Sequence, residues 1–117
     1  MASGDKNSDT KVQRRFPRYP FDLKLSVHVF RAGARVFLWG RSNEMALDGI
    51  GATLTGELEP GEVVAMELML PMAGYPIKFR ALVRYRDGLR HGFEFLTLTH
   101  EQREEIRRTC EVLASAT

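Results

Sequence analysis

Phe21-Asp22-Leu23-Lys24-Leu25-Ser26-Val27-His28-Val29 alternates apolar and polar side chains without a break. Successive side chains of a β-strand point to opposite faces, so Leu23, Leu25, Val27 and Val29 share one face. Asp22, Lys24, Ser26 and His28 share the other. A strand with one buried face needs a second layer or a closed sheet to cover it.

The chain beyond repeats the pattern. Ala32-Gly33-Ala34 reads as a turn, and Val36 to Met45 as a second strand carrying Phe37 and Trp39. Asp48-Gly49-Ile50-Gly51 interrupts the pattern and Ala52-Thr53-Leu54 resumes it. Glu59-Pro60-Gly61-Glu62 is a turn signal before a strand from Val63 to Leu70. Ile77, Phe79, Ala81 and Val83 then alternate with charged neighbours, and Asp87-Gly88 is a hairpin turn leading to a strand with Phe93 and Phe95 on one face. The period changes after Thr99. Thr99 and Gln102 have capping-box spacing, and Ile106, Cys110 and Leu113 follow at helical intervals. Six strands and one terminal helix predict an all-β fold, a small antiparallel barrel or closed sheet.

The 117 residues suit one domain, and an apolar fraction of 44% with 27% charged residues is that of a soluble globular protein. Residues 1–12 are polar and aperiodic and read as a flexible arm, with the domain occupying 13–117. No apolar run approaches the roughly 18 residues of a membrane span. The N-terminus lacks a signal peptide's apolar stretch. A single cysteine forms no internal disulfide. These features read as cytoplasmic, without membrane insertion. The net charge of +2 is too small for a general nucleic-acid binder, and Phe79, Phe93 and Phe95 alternate as core residues and not as stacking platforms.

Catalysis has little support. His28, His91 and His100 are far apart, show no metal-ligand spacing, and read as solvent-facing. Cys110 reads as a core thiol on the apolar helix face. Gly49-Ile50-Gly51 is followed by a strand and not a helix, which excludes a dinucleotide loop and leaves a tight turn. The informative chemistry is Arg14-Arg15-Phe16-Pro17-Arg18. Guanidinium groups suit phosphate oxygens and guanine edges. Phe16, Pro17 and Tyr19 restrict the segment, which lowers the entropy cost of gripping a ligand.

This order of elements, with Arg14 and Arg18 spaced as RxxxR before the first strand, resembles a PilZ domain over about residues 13–115. The resemblance implies a six-stranded antiparallel β-barrel with a C-terminal helix, no enzymatic activity, no cofactor, and cyclic di-GMP as ligand. Arg14 and Arg18, with Arg15 between them, inherit contacts to phosphates and guanine. The family's second motif, (D/N)xSxxG, places its glycine on Gly51. That count puts Ala46 at the acidic position and Asp48 at the serine position. Asp48 then either accepts guanine N–H groups in place of the missing residue or is an ordinary turn residue before Gly49. Two functions follow: a cyclic di-GMP receptor that relays to a protein partner by ordering the arm, or a divergent adaptor that binds protein without nucleotide. The adaptor's contact would be the exposed helix surface or the Met66/Met69 strand.

Overall fold

The computed structural model describes residues 15–71 and 73–116. The expected arm at 1–12 and Arg14 lie outside them. The strands are β1 (Tyr19–Pro20), β2 (Lys24–Arg31), β3 (Ala34–Met45), β4 (Gly49–Leu54), β5 (Val63–Leu68), β6 (Ile77–Asp87) and β7 (Arg90–Phe95), followed by helix α1 (His100–Ala116). All pairings are antiparallel, in the order β1-β3-β2-β5-β6-β7-β4, and β4 pairs back onto β3. β2 to β7 therefore close into a six-stranded barrel, and the two-residue β1 adds to the β3 edge. Closure leaves no long strand edge for another chain to pair with.

The predicted alternation holds. Leu25, Val27 and Val29 are buried, and they meet Val64, Met66, Phe79, Val83, Phe93 and Phe95 in one core. Phe79 and Phe95 pack edge to face at 5.0 Å. Ala32 (φ 50°) and Gly33 (φ 79°) form the β2–β3 turn, with positive φ at both central positions as the tightest hairpins require.

Two expectations fail. Gly49-Ile50-Gly51 is the start of β4, not a turn. Its glycines are set by close strand neighbours: a Cβ on Gly49 would lie 2.2 Å from the carbonyl oxygen of Phe93. His91 is not solvent-facing but fully buried, 0% exposed. Its Nδ1 lies 2.8 Å from the Leu89 carbonyl and its Nε2 3.0 Å from the Leu58 N–H. A carbonyl only accepts and a backbone amide only donates, so Nδ1 carries the proton and the ring is neutral. Burial, more than any other influence, holds its pKa below the ordinary 6.5.

Thr99 and Gln102 form the reciprocal capping box. Gln102 N–H donates to Thr99 Oγ1 and Thr99 N–H to Gln102 Oε1. The helix buries Glu105, Ile106, Thr109 and Cys110. Gln102 Nε2 also donates to the Lys78 carbonyl at 2.7 Å, tying the helix start to β6.

Candidate ligand-binding site

The segment after the arginines is stitched to β3. Phe21 N–H donates to the Asn43 carbonyl, Leu23 N–H donates to Ser42 Oγ, and the Ser42 hydroxyl donates to the Phe21 carbonyl. With Tyr19 opposite Met45 and Pro20 opposite Glu44, this fixes Arg18 beside Glu44. Arg18 Nη1 meets Glu44 Oε2 at 2.8 Å, with the two side chains only 22% and 21% exposed. The Arg18 Nε–H is buried without a partner among the described residues. An unpaired buried donor is costly, so this N–H is a ready contact for an incoming acceptor.

Across the outer surface the strands align Glu44, Gly51, Gly92 and Tyr85 in one row. The two central glycines make room for the side chains flanking them. Glu44 leans over Gly51, where a Cβ would sit 3.2 Å from its Cγ, and the Tyr85 ring lies on Gly92, where a Cβ would sit 2.0 Å from Cε2. A register shift between Val83 and Tyr85 leaves both Arg84 and Tyr85 exposed. Bulges re-aim side chains in this way.

A cleft of about 520 Å³ opens at the Gly92 and Tyr85 end of this row, within the size range of small-molecule sites. Arg15, Phe16 and Arg18 form one wall. Arg84, Tyr85 and Glu94 form another, over a floor that includes Gly49 and Gly92. The Arg84–Glu94 pair at 3.2 Å is half-exposed, and a ligand displaces such a pair at little cost.

Of the residues singled out in the sequence, Arg15, Arg18 and Asp48 border the cleft. Arg14 lies outside the described residues, and Gly51 sits beneath Glu44. Ala46 to Asp48 form the β3–β4 turn, closed by the Ala46 N–H to the Gly49 carbonyl. Ala46 and Asp48 thus lie in a turn and not on a strand face. Glu44, Arg84, Tyr85 and Gly92 were not singled out. One signal was available: counted from Gly49 instead of Gly51, the (D/N)xSxxG spacing puts Glu44 at the acidic position and Ala46 at the serine position.

Among the described residues, no group of His, Cys, Asp and Glu is placed to hold a metal ion. No helix there is long and apolar enough to cross a membrane. Cys110 is buried, and burial together with nearby Asp48 pushes its pKa up to about 11, far from a nucleophile's range.

The described residues form a closed six-stranded barrel with a terminal helix and an arginine-walled cleft. The sequence matches the PilZ domain family over residues 12–111, and the chain belongs to that family. PilZ domains are non-catalytic binding modules. The fold is similar to the "PilZ domain with c-di-GMP of YcgR from Escherichia coli", with a TM-score of 0.69 and 20% identity over 89% of this chain and 93% of that one. The PilZ domain of CeSA from a cellulose-synthesizing bacterium gives 0.62 and 15% identity, over 86% of this chain and 97% of that one. The MrkH-c-di-GMP complex of K. pneumonia gives 0.70 and 15% identity, over 89% of this chain but 53% of that one. A comparison with curated proteins gives no match.

Proposed function

We propose that the chain is a regulatory receptor module for cyclic di-GMP. The observation that carries this reading is the convergence of Arg15, Arg18 and Tyr85 around one cleft, with Glu44 held against Arg18, in a family whose solved members include complexes with that ligand. Arg18, with its unpaired Nε–H, and Arg15 are suited to phosphate oxygens. Arg14, spaced four residues before Arg18, joins them. Tyr85 offers a ring face to a guanine. Glu44 is suited to the guanine N1–H and N2–H donors, and Asp48 is a turn residue at the border. Ligand binding fixes the segment ahead of β1, and a protein partner reads that change.

A second reading is favoured by the Arg18–Glu44 pair itself. Arg18 already has a carboxylate partner, which would suit an adaptor that needs no nucleotide.

Titration calorimetry with cyclic di-GMP separates the two. Arg18→Ala should weaken binding by about thirtyfold or more, matching roughly 2 kcal/mol for a sheltered charged contact. Glu44→Gln should weaken it about tenfold, and Asp48→Ala by less than about threefold. No heat from the native protein at hundred-micromolar nucleotide overturns the receptor reading and leaves the adaptor.

A further inference from the structure

Far from the cleft, the outer face of β2 and β3 carries three large aromatic side chains in the open. Phe30 is 66% exposed, Phe37 54% and Trp39 64%. The register places Trp39 opposite Ser26, Phe37 opposite His28, and Arg35 opposite Phe30, so all share one face. The face continues onto β5 and β6 through Ala65 and Arg80 in one row, and Glu67 and Lys78 in the next. A groove of about 470 Å³ runs beside Trp39 and Met69. In the ring of strands, β2 lies across the barrel from β7 and the cleft. A contiguous exposed apolar patch of this kind marks an interaction surface. Met66, which sequence reasoning offered as a contact, is in the core.

The charge on this face is one-sided. Its outward cations are Lys24, Arg35, Arg41, Lys78 and Arg80, against two outward carboxylates, Glu67 and Asp22. Arg41 is paired with Asp22. Arg35 has no carboxylate partner among the described residues. Its guanidinium instead lies 5.2 Å from the Phe30 ring centre and 6.0 Å from that of Phe37. A cation held on two rings is already ordered, so it loses little freedom when a carboxylate arrives.

We propose that this face docks a protein partner through an acidic segment flanked by apolar residues. The partner's carboxylate meets Arg35, and its apolar side chains cover Phe37 and Trp39 and enter the groove by Met69. Exposed Trp and Arg at the centre of a patch, with cations at its rim, is the composition of a protein-binding hot spot. The same geometry disfavours single-stranded nucleic acid. Arg35 occupies the ring faces of Phe30 and Phe37 on which bases would stack, and Glu67 sits in the path of a phosphate chain.

The test uses the full chain, immobilised, against a random-peptide display library. Enriched peptides should carry Asp or Glu beside Trp, Leu or Phe. Their affinity should fall about thirtyfold with Trp39→Ala or Arg35→Glu, and should be unchanged by Arg18→Ala in the cleft. Both substituted residues are exposed, and circular dichroism melts check that the variants fold. Enriched peptides without acidic residues, or binding that neither substitution moves, overturns the proposal. So does an absence of enrichment. It is also overturned if the face proves to serve another occupant: self-association by light scattering, oligo(dT) binding by anisotropy, or sedimentation with phosphatidylglycerol vesicles, abolished by Trp39→Ala where no peptide is enriched.

Discussion

Mild acid should destabilise this protein through one ring. Neutral His91 accepts the Leu58 N–H at Nε2, and protonation turns that acceptor into a donor facing a donor. Burial holds its folded pKa below the 6.5 it has when unfolded. Between those two values the unfolded chain binds a proton that the folded chain refuses. The contribution of His91 is thus complete above about pH 6.5 and falls as pH drops toward the folded pKa. Within that window the loss approaches about 1.4 kcal/mol per pH unit, which for a chain of this size lowers Tm by about 6 °C. Glu62, hydrogen-bonded by Arg31, has its pKa lowered below the usual 4.5, so its own acid loss falls below that window. Thermal melts at pH 7 and pH 5 read the effect. His91→Leu supplies the control: it should cost roughly 2–6 kcal/mol, by leaving the Leu58 N–H and Leu89 carbonyl without the ring, and should abolish the drop between the two pH values. An unchanged Tm at pH 5, or the same drop in His91→Leu, refutes the reasoning.

Two further substitutions test the fold. Gly49→Ala and Gly92→Ala are the same chemical change with different expected costs: about 3 kcal/mol at Gly49, where the obstacle is the Phe93 backbone carbonyl, and about 1 kcal/mol at Gly92, where the exposed Tyr85 ring can swing aside. Urea melts compare them, and equal losses would contradict the account. Thr99→Ala removes the cap of α1 and should cost about 1 kcal/mol by the same assay.

What the sequence made legible was local. The alternation from Lys24 to Phe30, the Thr99–Gln102 cap and the Gly88 turn are each decided within a few residues. The features that escaped it are decided across the barrel. Gly49 and Gly51 look like turn residues because local preference says so, yet each answers to a neighbouring strand, to Phe93 and to Glu44. A histidine in a hairpin looks exposed until Leu58, thirty-three residues away, uses it as an acceptor. The arginine motif was readable from residue types and spacing. Its counterpart wall was not, because the choice between Gly49 and Gly51 as the reference glycine depends on which carboxylate reaches Arg18.

Cys110 gives the protein an internal clock. Its thiol is 5% exposed, on the buried face of α1 and close enough to Asp48 to feel its charge. A reagent such as a disulfide dye reaches it only when the helix lifts or the chain opens, so the labelling rate, divided by that of a free peptide thiol, measures the opening equilibrium under native conditions. Because Asp48 also borders the cleft, any ligand that binds only the closed form slows that clock by its saturation ratio, one plus concentration over Kd. One residue on the far side of the turn thus counts occupancy of the cleft, with no label added to it.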